Sequence, residues 1–487
     1  MRKQMNKKIL PLLVTCVGLV SVVHLPAQTF KNLHNFSYNA TDGANPAGGV
    51  TVSGNVLYGS TFNGGGNSAG SLFQMNTDST GFSLLYSFSP PDSTTWVNTD
   101  GSEPYSPLVL SGGVLYGSAQ TGGSSGSGVA FSFPVRGPVP TILNNFINFP
   151  SGNRYVQFYA ALVLTNNTLY GTMANGGTKG YGTVFKVNPG GTGFITLHNF
   201  TNGVDGATPL SGLVAGGSFY GVALGGGSAG NGTIFRVNTD GSGFTNLHTF
   251  PATLGTLRTN ADGAGPDSLV ISGSALYGTA NFGGRFGSGT VFAINTNGTG
   301  FTNLYTFSAA PGNGLYDTNL DGASPQAGMV ISGNALYGST FTGGTGGTGT
   351  IFRINTDGTG ISNLHSFSGP SPQGTNSDGI EPVAGVTLSG NKLYGITAGG
   401  GTNGTGTVFS LSFSPTLTIS NSSANVILSW PSNSFGLDFS GFTLQSTTNP
   451  GSATNWSTVS TTPAVVNGQF TVTNPVSGAK QFFRLIE

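Results

Sequence analysis

Charge is scarce in this chain: only 7% of its 487 residues are Asp, Glu, Lys or Arg. Disordered chains of this length are usually rich in charge and poor in aromatics, whereas this one carries 34 Phe and 15 Tyr. The Glu, Lys and Leu repeats of a coiled coil are missing, and so is the 3.6-residue pattern that helical repeats would need. Glycine, with 82 positions, shows no period of three, which excludes collagen. Cysteine is almost absent, the one being Cys16 near the N-terminus. What is present is Gly, Thr, Ser, Asn, aromatics and β-branched residues in short runs, the composition of an all-β chain with many turns.

Arg2, Lys3, Lys7 and Lys8 precede a mostly apolar run over 9–23, then LPAQ. A basic head, an apolar run of 15 residues and a small-residue site predict a signal peptide over 1–27, cleaved after Ala27; the run is short for a bilayer span. LVTC, ending at Cys16, is the one lipoprotein-like alternative. Removing 1–27 takes away four basic residues and leaves 12 basic against 16 acidic, a net charge of −4. The mature chain then has no cysteine, so no disulfides. With no basic tract, nucleic acid is not an expected partner. No second run is long enough for a transmembrane segment. The expected localisation is secreted or cell-surface associated.

The body of the chain is periodic. Tyr58, Tyr116, Tyr170, Tyr220, Tyr277, Tyr337 and Tyr394 are each followed by Gly and, 15 residues later, by a Phe: Phe73, Phe131, Phe185, Phe235, Phe292, Phe352 and Phe409. Another Phe closes a Leu-x-x-Phe element 15 residues further on, at Phe88, Phe146, Phe200, Phe250, Phe307 and Phe367. Two constant intervals mean a fixed backbone path. The length varies only between Leu-x-x-Phe and the next Tyr, mostly before a DGxxP element such as Asp321-Gly322-Ala323-Ser324-Pro325, as loops allow and packed strands do not. Each repeat parses into four short strands, A to D. In the fifth these are LVIS, ALYGTA, TVFAIN and FTNLYTF.

Four strands per repeat suit a propeller blade. The mature chain begins with a D-type strand, LHNF at 33–36, and the seventh repeat stops after strand C at Phe409. Pairing the two would close the ring and remove two sheet edges. The expectation is therefore a seven-bladed β-propeller over 28–414, closed by its N-terminal strand and monomeric. The motifs LYGxTxxGG, GTVFxINTDGTGF and LHxF resemble the GloVer repeat, a bacterial tandem repeat of cyanobacterial and verrucomicrobial proteins, over residues 29–413. The resemblance implies a secreted, surface-associated protein and carries no activity or catalytic residues. Repeat two departs, with FSFPVRGPVP in place of the NTDGTG turn, and repeat three lacks DGxxP.

From about Pro415 the repeat stops. LTIS, NVILSW, FTLQST, WSTVS, QFTVTN and QFFRLIE alternate. They predict an immunoglobulin- or fibronectin-like β-sandwich over 415–487, with Trp430 and Trp456 as core or edge aromatics. Its closing FFRL resembles C-terminal modules of secreted verrucomicrobial proteins, accessory or sorting in role.

Chemistry is thinly signposted. The glycine loops lack the Lys and the following helix of a phosphate cradle and read as tight turns. Gly66–Gly70 and Gly226–Gly230 spell Gly-x-Ser-x-Gly, but a strand follows where a nucleophile elbow needs a helix. His34, His198, His248 and His365 share one slot of strand D with Tyr86, Tyr305 and Asn144; spread over separate blades, they read as packing residues. The Asp of DGxxP (Asp42, Asp100, Asp205, Asp262, Asp321 and Asp378) read as turn residues. Asp317, Asn319 and Asp321 match the start of a calcium loop that lacks its distal Glu, the one cofactor site considered; otherwise no cofactor is expected. Glu103 and Glu381 match in position but fall in non-adjacent blades. No catalytic residue is assigned.

In a four-strand meander the D–A and B–C loops share a face. On it fall the residues that break the repeat: Trp96, Arg154, Tyr155, Arg258, Arg285, Phe286 and Tyr316. Exposed aromatics beside polar groups suit sugar stacking or protein contact. The leading expectation is a non-enzymatic binder of an extracellular glycan or surface protein. The alternatives are a polysaccharide-active enzyme, a hydrolase or lyase, with convergent carboxylates in the central mouth, and a purely structural surface component.

Overall fold

The computed structural model describes residues 26–146, 162–310, 316–326, 328–422, 424–451, 455–475 and 480–487. The expected signal segment lies outside the described residues, apart from its last two. No helix occurs among the described residues, and none is long and apolar enough to cross a membrane.

Residues 27–414 form seven antiparallel sheets, numbered here 1 to 7 in chain order, each a meander of strands A to D. Sheet 5 is Ala264–Ser272, Ala275–Phe282, Thr290–Asn295 and Thr302–Thr306. Its strand A is longer than LVIS because the DGxxP element runs on into it. In sheet 2 the corresponding strand is broken into Ser102–Pro104 and Val109–Ser111. Sheet 7 takes strands A to C from Thr387–Ser389, Lys392–Thr397 and Thr407–Ser414, and strand D from Ala27–Asn35 at the other end of the chain. That pair is antiparallel, from Ala27 opposite Ser414 to Asn35 opposite Thr407.

The 15-residue interval has a direct physical meaning. In every sheet the Gly after the Tyr on strand B pairs with the Phe on strand C, as Gly338 with Phe352 and Gly59 with Phe73. The Phe ring lies over the glycine: a Cβ on Gly338 would sit 2.7 Å from Phe352 Cζ. The glycine leaves room for the ring, and the ring covers the backbone that the glycine bares. All seven of these phenylalanines are buried.

The next Phe of each repeat packs against the strand C Phe of the following sheet, tilted for Phe88 on Phe131 and edge-on for Phe146 on Phe185, Phe200 on Phe235, Phe250 on Phe292, Phe307 on Phe352 and Phe367 on Phe409. Phe36, from the N-terminal strand of sheet 7, packs in the same way on Phe73 of sheet 1, with centroids 5.3 Å apart. Apolar clusters bridge neighbouring sheets accordingly; one joins Tyr394, Ile396 and Val408 of sheet 7 to Val50, Leu57 and Phe73 of sheet 1. Offset and edge-on pairs of this kind add about 0.5–1.5 kcal/mol each beyond the area they bury.

The C-terminal residues form two further sheets. One orders Thr418–Ser422, Asn425–Pro431, Gln469–Pro475 and Ala464–Val466; the other orders Ser457–Thr458, Thr443–Thr447 and Phe482–Ile486. Leu428, Trp430, Leu444 and Val472 are buried together, and Trp456 lies under the Arg484 guanidinium at 4.2 Å. A hairpin, Asn433–Ser434 with Leu437–Asp438, projects from this unit onto sheets 6 and 7. There the Tyr337 hydroxyl donates to the Phe435 carbonyl (2.8 Å), Arg353 covers the Phe435 ring at 4.1 Å, and Leu437 and Phe439 join a cluster with Leu411 and Phe413.

Candidate functional site

The DGxxP loops and the glycine loops do lie together. Asn98, Asn260, Asn319 and Asn376, two residues before each DG, tie them. The Asn319 Oδ1 accepts from Gly322 N in its own turn and from Gly344 N in the glycine loop, while its Nδ2 donates to the Ser308 and Gly322 carbonyls. At the end of the loop, Gly349 takes φ +108°, and a Cβ there would meet the Thr340 carbonyl at 2.4 Å and Pro382 of the next DGxxP at 2.7 Å. Glycine is needed for both the dihedral and the approach. The glycine loops are thus packed between successive DGxxP turns.

Each DGxxP Asp is bound to the shared slot on strand D of the preceding sheet. His34 Nε2 lies 3.0 Å from Asp42, His198 3.2 Å from Asp205, His248 3.1 Å from Asp262 and His365 3.0 Å from Asp378. Tyr86 and Tyr305 donate to Asp100 and Asp321 at 2.6 and 2.7 Å. Asn144 stands where repeat three has no DGxxP to meet. Burial holds the His198 and His248 imidazoles below their usual range, against the raising effect of Asp205 and Asp262. Burial raises Asp42 and Asp378 in turn, but the hydrogen bonds from His34 and His365, among others, outweigh it and leave both carboxyls below the usual range.

Asn319 and Asp321 therefore have defined roles in the turn: Asp321 accepts from Tyr305 and from the Ser308 amide and hydroxyl. No group of three His, Cys, Asp or Glu side chains spaced for a metal ion occurs among the described residues. Asp317 is adjacent in sequence to these residues and lies half-buried.

Among the residues that break the repeat, Arg258, Arg285 and Phe286 are brought together on sheet 5. A small hairpin, in which Leu254 and Thr259 exchange backbone hydrogen bonds, presents Leu257 and Arg258 at its tip. The Gly287 backbone of the neighbouring glycine loop abuts the Leu257 carbonyl. Arg258 lies 5.8 Å from the Phe282 ring, and Arg285 lies 5.4 Å from the Phe286 ring. Leu254 and Leu257 are 71% and 69% exposed, and Phe282 and Phe286 over a third. Tyr316 is exposed on the D–A loop before sheet 6, against Gly347. Trp96 is half-buried against Gly126 of its own sheet. Arg154 and Tyr155 lie outside the described residues.

A second feature was not anticipated. Strands A converge on a cavity of about 530 Å³. The residue following each DGxxP proline faces it: Ala47, Tyr105, Leu210, Asp267, Gln326 and Val383. Asp267 is the one charged side chain on its described wall, and burial pushes its carboxyl up to about 7. It occupies an irregularity in the pairing of strands A and B, between Pro266 opposite Ala280 and Ser268 opposite Thr279, a device that re-aims a side chain. Glu103 and Glu381, one residue before their prolines, are not on that wall. Each takes a positive φ, 58° and 57°, and donates its amide to the preceding glycine loop, at Ala69 and Thr348. Burial raises both carboxyls, with Thr121 lowering Glu103 in part.

Three solved structures similar to the chain are the extracellular domain of a putative hybrid two-component system from B. thetaiotaomicron (10% identity, 83% of this chain and 46% of that one, TM-score 0.48), a putative 6-phosphogluconolactonase from Bacteroides uniformis (15%, 88% and 98%, 0.41) and a gluconolactonase from Xanthomonas campestris (12%, 80% and 90%, 0.34). No curated protein matches it in sequence. Residues 16–217 match the Gloeobacter/Verrucomicrobia repeat, which supports that repeat family for this part of the chain.

Proposed function

We propose that the chain is an exported, non-enzymatic, monomeric seven-bladed β-propeller that binds an acidic glycan at the cell surface through its loop face. Support for the closed ring comes from Ala27–Asn35 in sheet 7 and from the Phe36–Phe73 contact between sheets 7 and 1. The two C-terminal sheets are on this reading an immunoglobulin- or fibronectin-like accessory or sorting module, docked through Phe435.

The observation that carries the binding reading is the cluster of Arg258, Phe282, Arg285 and Phe286. Guanidinium groups pair with sugar carboxylates in a forked geometry, and aromatic rings cover the apolar faces of sugars. The polysaccharide-cleaving alternative calls for two facing carboxylates; Asp267 stands on the described cavity wall without a second.

Retention of the mature protein on immobilised polygalacturonate, with neutral dextran as control, tests this. Arg258→Ala with Arg285→Ala should weaken retention at least tenfold, and retention should fall as salt rises. No preference for the acidic polymer, or a double variant that binds as the wild type does, would sink the glycan reading.

A further inference from the structure

The cavity has features that the loop-face reading leaves unused. Its wall mixes glycines and small side chains with leucines and Met329, and carries polar groups from Ser106, Ser211, Ser268, Thr387, Asn281 and Gln326. Against these stands one carboxylate, Asp267. It makes no hydrogen bond or ion pair with any described residue, although Ser268 beside it contacts Thr279. Nearby on strand B, the Asn281 Oδ1 is buried without a donor. No cationic side chain stands on the described wall, and a carboxylate in such surroundings is costly unless something supplies positive charge.

We propose that this cavity binds a small protonated amine, with the Asp267 carboxylate as its counter-ion. The pairing is charge-assisted, an ammonium N–H donating to a carboxylate oxygen. A bare metal ion fits less well, because one carboxylate does not make a ligand set and no acidic or histidine cluster surrounds it among the described residues. The volume lies in the range of small-molecule pockets, about 300–1,000 Å³, and a wall that mixes Leu and Val with a few hydroxyls suits an amine carrying both apolar and hydroxyl groups. The occupant has the opposite charge to the acidic glycan proposed for the outer loops, so the two sites are separable by experiment.

Calorimetric titration of the mature chain at pH 8 with methylammonium, ethanolamine and spermidine tests the proposal, with neutral N-acetylethanolamine as control. At least one amine should bind and the control should not. Asp267→Asn, which keeps the shape of the side chain, should weaken binding at least tenfold, and Arg285→Ala should leave it unchanged. Binding to the wild type should weaken between pH 8 and pH 6 as Asp267 takes up a proton; Tyr105 is the one other titratable side chain on the described wall, and a phenol stays neutral over that range. A thermal melt provides a second reading, the amine raising the midpoint of the wild type and not of Asp267→Asn. Heats and midpoints that no amine alters, or an Asp267→Asn variant that binds as well as the wild type, would overturn it.

Discussion

His365 lies flat on Phe30, with ring centroids 3.9 Å apart and planes 7° from parallel. Phe30 comes from the N-terminal strand, more than 300 residues away in sequence. The same stack recurs inside the repeats, as His34 on Phe82, His198 on Phe244 and His248 on Phe301, at 3.6–3.8 Å. In each case the second ring begins strand D of the following sheet. The first strand of the described chain thus carries the ring that a complete seventh repeat would have supplied.

Phe30→Ala should destabilise the protein by about 2–3 kcal/mol, below the roughly 3–5 kcal/mol of a fully buried Phe because Phe30 is half-buried, with the loss shared between the His365 stack and the Phe409 contact at 5.3 Å. Phe82→Ala should cost a similar amount. Urea unfolding measures both, and a Phe30 loss under half a kcal/mol would show that the N-terminal strand is not held as the others are.

The slot on strand D obeys a pairing rule. Where it holds His, the following sheet offers Phe; where it holds Tyr86 or Tyr305, the corresponding positions are Pro140 and Ile361. A Tyr reaches its Asp with a longer side chain than His, and in both cases no Phe occupies the facing position. His248→Tyr alone should cost about 1–3 kcal/mol through overpacking, and Phe301→Ile in the same chain should recover part of it. A double-mutant cycle should give a coupling of at least about 0.5 kcal/mol; strict additivity would refute the rule.

Acid should act in two windows. The folded pKa values of His198 and His248 are depressed, so their contribution is fully present above the unfolded value of about 6.5 and is lost as pH falls through the lower folded values. Asp42 and Asp378, also depressed, add a loss that begins below about 3.8. Asp267 has the opposite sign: its folded pKa is raised, so its contribution is present below about 3.8 and lost as pH rises through about 7. Denaturant midpoints of Asp267→Asn should therefore exceed those of the wild type more at pH 8 than at pH 4. Equal differences at the two pH values would argue against a desolvated, unpaired carboxyl on the half-buried Asp267.

Gly338→Ala should cost about 1–3 kcal/mol, because the new methyl meets the Phe352 ring. Phe352→Leu added to it should relieve the clash, so that the double variant is more stable than the sum of the two losses predicts. If Gly338→Ala unfolds no more easily than the wild type, the glycine is there for some reason other than the ring.

Much of this was legible in the sequence, for a physical reason. Cross-strand pairing fixes distances along the chain, so the Gly–Phe contact shows as an invariant interval of 15. The His–Asp pairs were hidden because a loop of variable length separates their members: Asp205 follows His198 by 7 residues and Asp378 follows His365 by 13. Both ends of each pair nonetheless sit in fixed slots, and the missing partner for Asn144 was a usable clue. On the loop face, Arg258, Arg285 and Phe286 stood out as departures from the repeat. Phe282 did not, because it is the last residue of a strand. Asp267 escaped for a similar reason. It sits beside a motif whose own Asp drew the eye, and only alignment of the six residues after the proline shows that one of them is charged.

Both ends of the described chain grip one sheet. Ala27 stands opposite Ser414, and beyond Ser414 the chain enters the C-terminal sheets. A pull between the N-terminal end of that strand and those sheets would thus act on the same end of an antiparallel pair, opening it one hydrogen bond at a time as a zipper rather than loading all of them in shear. The Phe435 hairpin and the ion pair of Lys392 with Glu487, 2.9 Å apart, lie across that path. They divert tension into sheets 6 and 7 before it reaches the seam, so the docked C-terminal unit acts as a mechanical latch. Single-molecule pulling from these two points should show a rupture force that drops when Phe435→Ala frees the hairpin.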